Sequence, residues 1–402
     1  MIEALLLTCL LLPAYAYVVY PGLLWLLRRV TRPRPRRAGE LTQWPSVSIV
    51  VSAYNEEHVI GERLRNLRDL DYPPERLECL IGSDGSTDRT AAIVEASAGG
   101  AIRLVAFPER RGKASVLNDL VERARGDVLV LTDANTFFQP DAVRALVTAL
   151  WRHPTACAVV GRLELRSPTA TGNLESTYWS YETWLKTLES HFGAVLGANG
   201  AIYAFYRERY RPIPADTIVD DFLIPMTMRL HGGGEVFLVP AARAWETLPA
   251  QISHELRRRV RIGAGDFQAL VWTWRLLLPW NGMVAFSYFS HKVLRWLGPW
   301  LMLTGFVANA FLLEPPFFRW LFLGQLTFYG LGVLAPAVRL AASASRYFMA
   351  LNAALGLGSV RFVLGLQRPF WNTAPRSVEP ASDRASTRPS EHSTASSRQD
   401  AA

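Results

Sequence analysis

Acidic and amide side chains follow three apolar runs of the sequence, at the points where those runs end. Asn55 and Glu56 follow the first run, Asp84 follows the second, and Asp133 and Asn135 follow a later one. A single acid in such a position is usually a helix cap, but three ends that converge favour a binding site. Carboxylate and amide oxygens suit a hard divalent cation. The pattern therefore predicts a nucleotide held at one rim, with a metal ion on its diphosphate.

The elements that must position these side chains alternate between strand and helix. Short β-branched runs predict strands at 47–51, 77–82, 102–106, 128–131 and 156–160, with helices at 56–67, 88–97, 113–125 and 141–152. Such alternation implies a mainly parallel sheet covered by helices on both faces, with ligands beyond the carboxyl ends of the strands. We therefore predict an α/β nucleotide-binding domain over 45–265.

The glycines do not form a familiar phosphate-binding loop. Neither G-x-G-x-x-G after the first strand nor G-x-x-x-x-G-K-[ST] occurs in the sequence. Gly112 and Lys113 instead open a predicted helix, a position that suits contact with an anionic group. From spacing alone, Lys113 is equally well explained as a surface lysine at a helix start.

The bulk composition favours a membrane surface or a polyphosphate ligand over nucleic acid. The chain has 402 residues, 50% of them hydrophobic, and a formal net charge of +8. Its arginines stand beside apolar segments and not in a solvated arm, which argues against a nucleic-acid partner. The three cysteines show no disulfide or zinc spacing and are expected to be buried.

The first 44 residues predict a membrane anchor. Residues 1–27 are apolar at the length of a transmembrane helix, and the basic linker at 28–44 carries six arginines before its first acid. A cleavable signal peptide would place its positive charge before the apolar run. By the positive-inside rule, the domain that follows lies in the cytoplasm.

The C-terminal third predicts further membrane association. The expected segments are interfacial amphipathic helices at 266–290, C-terminal transmembrane helices at 291–366 and a disordered tail at 367–402. Two spans are clear, at 294–313 and 317–338. A third candidate at 347–366 contains Arg361 and several glycines, and could span, re-enter or lie in the interface. The segments predict a multi-pass protein of the inner or plasma membrane.

Five stretches of the middle domain occur in a recognisable order. They are VSIVVSAYNEE, IGSDGSTDRT, RRGKASVLNDLVERARGDVLVLTDANTFFQPDAV, GANGAIYAFYR and DTIVDDFLIPMTMRLHGGG. Together they resemble glycosyltransferase family 2, the inverting group with the GT-A (Rossmann-like) fold. In plan the chain is similar to membrane polysaccharide synthases of the cellulose and hyaluronan synthase type. The resemblance implies a UDP-sugar donor, a glycan or lipid-linked acceptor and Mg²⁺ or Mn²⁺, with export or synthase-complex subunits as further candidate partners.

The resemblance also implies which residues bind the donor. Ala53, Asn55, Glu56 and Asp84 would contact its uracil and ribose, and Lys113 would lie near the nucleotide.

Two more pairs of residues acquire roles from the resemblance. Asp133 and Asn135 match the metal-binding DxD motif, and Asp221 of the pair Asp220 and Asp221 matches the catalytic base. Transfer to a hydroxyl needs such a base within hydrogen-bond reach. Neighbouring acids point in different directions on most backbones, so Asp220 could orient or tune while Asp221 takes the proton. An amide oxygen is still a hard ligand, so an aspartate at position 135 is expected to be tolerated.

A basic run downstream fits the family stretch Q/R-x-x-R-W. Arg258 and Arg261 occupy its first and fourth positions, where they would contact phosphate. A cluster of charge at the membrane surface is the alternative explanation. Ile262 stands in place of the usual tryptophan, which favours a non-processive enzyme unless Trp245 or Trp272 supplies the ring.

Three functions fit the sequence. The first is an integral-membrane inverting glycosyltransferase that acts on a polysaccharide or lipid-linked acceptor. The second is a non-processive enzyme that makes a single transfer to a polyprenyl phosphate or another lipid. The third is an inactive nucleotide-binding subunit of a membrane complex, which the presence of Asp84, Asp133 and Asp221 disfavours.

Overall fold

The computed structural model describes four stretches of the chain, 1–166, 172–247, 252–334 and 341–370. The strands are β1 Val47–Ala53, β2 Leu77–Asp84, β3 Ile102–Phe107, β4 Val128–Asp133, β5 Thr136–Phe138, β6 Ala156–Arg166, β7 Tyr203–Tyr206 and β8 Glu235–Thr247. The α-helices are α1 Ile2–Ala14, α2 Tyr20–Val30, α3 Glu57–Arg68, α4 Thr90–Ala96, α5 Lys113–Arg123, α6 Ala142–Arg152, α7 Gly172–His191, α8 Asp220–Gly232, α9 Ile252–Thr273, α10 Met283–Ser287, α11 Leu294–Trp296, α12 Gly298–Ala310, α13 Pro316–Leu334 and α14 Ala341–Val363.

The strands of the described residues pair into one sheet in the order β3-β2-β1-β4-β7-β6-β8-β5. The first four in that order run parallel, because a helix returns the chain to the same edge between them. β7 runs antiparallel to both β4 and β6, and β5 runs antiparallel to β8. The predicted parallel sheet is therefore confirmed for the half that carries the rim, whereas the other half is mixed.

Helices cover both faces of the sheet, as the continuous burial of its strands requires. All seven residues of β1 are buried, and successive side chains point to opposite faces. Ile49 packs in one core with Ile60 and Leu64 of α3. Val50 packs in a second core with Leu117 of α5. The sheet is thus packed between two apolar layers. Its polar side chains are found mainly where the strands end.

The N-terminal helical run Ile2–Val30 matches the expected anchor. It joins α1 and α2 through a π-helical turn, and its mean hydropathy is 2.0 over a window that is 17% buried. Among the residues that the structure describes, it is the one helix long and apolar enough to cross a membrane. The expectation of a multi-pass protein is therefore not supported by the described helices.

The helices after the domain differ from their predicted bounds. The expected span at 294–313 is broken at Leu297, because Pro299 near the start of α12 has no N–H with which to continue the preceding helix. The predicted interfacial helix is also displaced, since α9 ends at Thr273 and a 3-10 turn follows. Part of the 317–338 span and the predicted disordered tail beyond 370 lie outside the described residues.

Close packing joins α14 to α9. A Cβ on Gly358 would lie 2.5 Å from the carbonyl oxygen of Val260, and a Cβ on Gly263 would lie 3.0 Å from the Cα of Leu355. Glycine at both positions lets the two backbones approach each other closely. The pair forms one wall beside the α/β domain, and α9 carries Arg258 and Arg261 along it.

Candidate active site

Hydrogen bonds join the loops that follow β1 and β2. Asn55 has a left-handed backbone, with φ 53°, and its Oδ1 accepts the N–H of Thr87 at 2.8 Å. The N–H of Asn55 donates to Ser86 Oγ at 3.2 Å, and the N–H of Glu56 donates to Thr90 Oγ1 at 2.8 Å. The structure thus brings Asn55 and Glu56 to the rim where the sequence argument placed them.

Asp84 anchors the start of α5. It is buried at the end of β2, and its carboxylate accepts the N–H groups of Arg111 at 2.6 Å and Gly112 at 2.9 Å. Gly112 caps α5 with φ 90°, a conformation that favours glycine. Both oxygens of Asp84 accept hydrogen bonds from the loop before α5. The carboxylate therefore fixes the position of that loop at the rim.

A stacked arginine covers one end of the rim. The Arg110 guanidinium lies 3.8 Å from the ring centroid of Tyr54 and 5.4 Å from that of Phe370. Ala53 is buried just before Tyr54, at the end of β1. Phe370 follows α14, and no pattern in the sequence connects it with position 110. The segment after α14 therefore reaches the rim at the end of β1.

Lys113 bridges two of the candidate carboxylates. Its Nζ lies 2.7 Å from Asp133 Oδ1 and 3.0 Å from Asp220 Oδ2, and its side chain is 14% exposed. Burial by itself would lower the pKa of Lys113, but the two carboxylates outweigh it and hold the pKa above its usual value. Lys113 is therefore a charged part of the site and not the surface lysine that spacing equally allowed.

The adjacent acids at the start of α8 face different parts of the site. Asp220 faces Lys113, and burial raises the pKa of Asp220 to about 6 although that lysine opposes the shift. Asp221 accepts the N–H of Phe222 at 3.0 Å and lines a cavity. The two acids thus diverge, as expected of neighbours on most backbones.

Asp133 and Asn135 lie at and just beyond the end of β4. Asn135 donates an amide N–H to Glu246 on β8, a partner that the sequence argument missed. A Cβ on Gly200 would lie 2.7 Å from Asp133 Oδ2, so an alanine at this position would force the carboxylate to shift. In the described ranges no group of three or more His, Cys, Asp or Glu could hold a metal ion. Asp133 and Asn135 thus bring one carboxylate and one amide to this end of the sheet.

A cavity of about 570 Å³ lies between the α/β domain and the flanking helices. Asp221, Arg258 and Ile262 line it. Arg261 instead donates from Nη1 to the carbonyl of Ile218 at 3.0 Å, and burial lowers the pKa of its guanidinium. The volume is typical of a site for a small molecule.

The aromatic rings of this cavity are not those considered from the sequence. Trp245 stacks on Phe137 at 5.8 Å between centroids, and Trp272 packs against a core of the domain. Neither is among the described residues that line the cavity, whereas Trp179 and Trp296 are. These two tryptophans lie on α7 and α11, outside every motif.

Charged residues that the sequence argument missed complete the cavity. Lys186 lies on α7, Lys292 on the π-helical turn Tyr288–Val293, and Asp266 on α9. Burial raises the pKa of Asp266 to about 7, although Lys292 opposes the shift. No motif marks these positions, because they come from three elements that are distant in the sequence.

Comparison with known proteins agrees with this geometry. Residues 48–210 match the family model described as glycosyl transferase family 2. A poly-beta-1,6-N-acetyl-D-glucosamine synthase of Staphylococcus epidermidis is 26% identical over 238 residues, which cover 58% of this chain and 57% of that protein. The protein of Bacillus subtilis named "Probable glycosyltransferase YdaM" is 28% identical over 249 residues, or 58% of each chain. The chain thus matches less than three fifths of the length of these curated relatives.

A solved structure shares the fold over most of the chain. The mannosyltransferase PcManGT from Pyrobaculum calidifontis, in complex with GDP-Man and Mn²⁺, aligns with a TM-score of 0.69 over 91% of this chain and 99% of that one. Its sequence identity is 23%, so the likeness concerns the fold. Residues 48–210 of this chain thus match glycosyl transferase family 2, and the chain shares its fold with a solved mannosyltransferase over most of its length.

Proposed function

We propose that the chain is an inverting glycosyltransferase that moves a sugar from a UDP-sugar to a polysaccharide or lipid-linked acceptor. The observation that carries the proposal is the cluster of Lys113, Asp133 and Asp220 at the strand ends. Asp221 stands beside this cluster and faces the cavity. One side of the arrangement fits a nucleoside diphosphate, and the other side fits an acceptor.

The contacts of the rim support a nucleotide on the first side. Asn55 and Glu56 are held by the loop after β2, and Asp84 holds the start of α5. The N–H groups at a helix start favour phosphate. We place the uracil and ribose against these residues and Ala53, with Lys113 near the phosphates.

The oxygen atoms of Asp133 and Asn135 fit Mg²⁺ or Mn²⁺. Asp133 Oδ1 is paired with Lys113, which leaves Oδ2 for a cation, and the amide nitrogen of Asn135 faces Glu246, which leaves its oxygen. The diphosphate and water would complete the shell. When bound, such a cation acts as a Lewis acid that neutralises the departing diphosphate. The complex of the structural relative with Mn²⁺ supports this by analogy of fold.

Asp221 is the proposed general base. The acceptor hydroxyl oxygen attacks the anomeric carbon of the donor sugar, and its proton passes to the carboxylate of Asp221. The bond from the anomeric carbon to the diphosphate breaks, and its electron pair leaves with the phosphate. A single displacement of this kind inverts the configuration. Asp220, paired with Lys113, is the orienting member of the pair.

We propose that the enzyme is anchored in the inner or plasma membrane with domain 45–265 in the cytoplasm. The apolar run Ile2–Val30 supports an anchor, and the arginines that follow it support this orientation. The cavity supports the same placement, because Tyr17 of the N-terminal run lines it together with Asp221.

A single transfer is the favoured mode of action. Ile262 lines the cavity where processive members of the family carry a tryptophan, and the candidate replacements Trp245 and Trp272 pack elsewhere. The cavity therefore lacks at this position the flat ring on which a growing glycan would slide. Mass spectrometry of the product separates the two modes, since one added sugar is expected and not a ladder of lengths.

Turnover of a nucleotide sugar tests the proposal. Purified protein with Mn²⁺ is expected to release UDP from at least one UDP-sugar. A parallel set of GDP-sugars tests which nucleobase the donor carries, because the solved relative is in complex with GDP-Man. Release of neither nucleotide would contradict the proposal, and nucleotide binding without turnover would support an inactive subunit.

Replacing Gly200 by alanine is expected to lower turnover by about 100-fold, because small misplacements at a catalytic centre cost this much. The new Cβ would lie 2.7 Å from Asp133 Oδ2 and displace the carboxylate. The rate of nucleotide release measures the effect. Gly232→Ala is the matched control, since no atom lies within 4 Å of its Cβ position. Equal rates in the two variants would contradict the role of Gly200.

Replacing Lys113 by methionine is expected to destabilise the fold in a pH-dependent way. The pKa of Asp220 in the folded protein is about 6, above the ordinary 3.8, so folding is favoured at low pH and loses stability as pH rises through this range. Without Lys113 the pKa of Asp220 rises further, because its cationic partner is gone. The loss of melting temperature in Lys113→Met should therefore be small at pH 4 and large at pH 8. Lys113→Arg, which keeps the charge, should show less of this dependence, and a loss independent of pH would contradict the argument.

A further inference from the structure

All three lysines of the chain lie at the candidate active site. The sequence has 43 basic residues, yet lysine occurs only at positions 113, 186 and 292. Lys113 bridges the donor-side carboxylates, and Lys186 and Lys292 line the cavity. The lysine ammonium group is compact, and its three N–H donors can rotate to suit a ligand. The arginine guanidinium group is planar, and its N–H donors are fixed in one plane. In an arginine-rich chain, this placement points to contacts that need the ammonium geometry.

Within the described ranges, neither lysine of the cavity forms a hydrogen bond or an ion pair with the protein. Lys186 is 7% exposed, and it makes no hydrogen bond or ion pair with any residue of the described ranges. Lys292 likewise has no such contact in the part of the chain that the structure describes. Burial, and then the neighbouring Lys292, lower the pKa of Lys186. The charges of Glu182, Asp221 and Glu189 act on Lys186 without forming an ion pair with it, and they offset only part of this shift. An anion in the cavity that accepted hydrogen bonds from both ammonium groups would therefore stabilise the folded protein.

The acids nearby do not meet this need. Glu182 already accepts hydrogen bonds from Arg295 and, at 3.0 Å, from His291. Glu189 is likewise engaged, by Tyr20 at 2.9 Å and by His291 at 2.7 Å. The raised pKa of Asp266 weakens its charge near neutral pH. Asp221 is the proposed base and must stay available to the acceptor. The cavity therefore keeps an excess of positive charge for a ligand.

Part of the cavity lining is apolar and includes a residue of the N-terminal run. Tyr17 belongs to the run Ile2–Val30 and meets Phe348 of α14 edge to face, with 5.8 Å between centroids. Leu351 and Leu355 of α14 continue this apolar lining. A hydrocarbon chain that lay along it would lead from the site of transfer towards the bilayer.

We propose that the cavity binds the phosphate of a lipid-linked acceptor, with the phosphate on Lys186 and Lys292 and the hydrocarbon chain along Tyr17 and Phe348. The inference rests on the proposed glycosyltransferase function and adds the class of its acceptor, an amphiphile with a phosphate or diphosphate head. A hydroxyl of the same molecule faces Asp221 and receives the sugar. A free phosphorylated sugar offers the same anion without the chain, so the test separates the two sources.

The lysines themselves provide the test. Full-length protein labelled with carbon-13 at the lysine Cε positions has three labelled side chains. Lys→Arg variants assign their NMR signals. The protein is held in dodecyl maltoside and titrated with dodecyl phosphate, dodecanol or inorganic phosphate. Dodecyl phosphate is expected to shift the signals of Lys186 and Lys292, inorganic phosphate to shift them only at far higher concentration, and dodecanol to leave them unchanged.

Variants give the expected size of the effect. Lys186→Met and Lys292→Met should each weaken the binding of dodecyl phosphate by about tenfold, as befits the loss of one charge-assisted hydrogen bond. Lys186→Arg should recover part of the loss. If dodecanol shifts the lysines as dodecyl phosphate does, or if no phosphate shifts them, the proposal is wrong. If inorganic phosphate binds as tightly as dodecyl phosphate, the ligand is a free phosphate and the lipid part is wrong.

The signal of Lys113 separates this proposal from the proposed function. It is expected to respond to UDP or GDP with Mg²⁺, since Lys113 lies on the donor side. A response of Lys113 with silent Lys186 and Lys292 would overturn the acceptor class alone. Lys113 silent to every nucleoside diphosphate would contradict the glycosyltransferase proposal, whatever the lipid phosphate does.

Discussion

Replacing Asp221 by asparagine is expected to lower sugar transfer by about 100- to 10,000-fold and to leave nucleotide binding unchanged. Asparagine has the same shape, and its oxygen can still accept the N–H of Phe222. The start of α8 should therefore keep its structure. What the variant lacks is a group that can accept the proton of a hydroxyl bound in the cavity. Rates of nucleotide release with saturating donor and acceptor, together with calorimetry of nucleotide binding, measure both parts.

Two neighbouring acids supply the controls for this prediction. Asp216→Asn changes an exposed acid in the loop before α8 and should leave the rate unchanged. Asp220→Asn should weaken use of the donor, because Asp220 contacts Lys113 on that side. Wild-type rates in folded Asp221→Asn would refute its assignment as the base.

Replacing Asp133 by alanine is expected to abolish measurable turnover and to weaken the binding of Mn²⁺ to the protein with nucleoside diphosphate. The variant removes one of the two proposed oxygen ligands and also frees Lys113 from its shorter ion pair. Loss of a group that positions charge in the transition state costs about 100- to 1,000-fold or more. Electron paramagnetic resonance of Mn²⁺ and the rate of nucleotide release check the two effects. Asp141→Asn, at the exposed start of α6, is the control.

Replacing Asn135 by aspartate tests the second ligand position by a gain of charge. Without metal, the new carboxylate would face Glu246 where an amide N–H now donates, so the melting temperature should fall. With Mn²⁺, a cation between the carboxylates should restore it, and turnover should persist. Loss of turnover in folded protein at saturating Mn²⁺ would contradict the ligand assignment of Asn135.

Local pattern was sufficient for the half of the fold that carries the donor rim. The periods of strand and helix are properties of short segments, so β1 to β4 and helices α3, α5 and α6 lie within about two residues of their predicted bounds. Parallel strands end at the same edge, which is why the sequence pattern alone predicts that Asn55, Asp84 and Asp133 lie together. The sequence pattern did not predict strands β5 and β7, because three or four residues are too few to show alternation of apolar and polar side chains.

The sequence by itself predicted the family resemblance, the polar rim at the strand ends and the apolar N-terminal run, because each depends on residues close together in the chain. Tertiary structure decided which way Asp221 faces, that Glu246 meets Asn135, and that the helix is interrupted at Leu297 within an apolar run long enough to span. It also decided the character of the cavity. Lys186 and Lys292 stand more than 100 residues apart in the sequence, and only the packing of α7 against the turn before α11 turns two isolated lysines into one cationic surface beside an apolar wall.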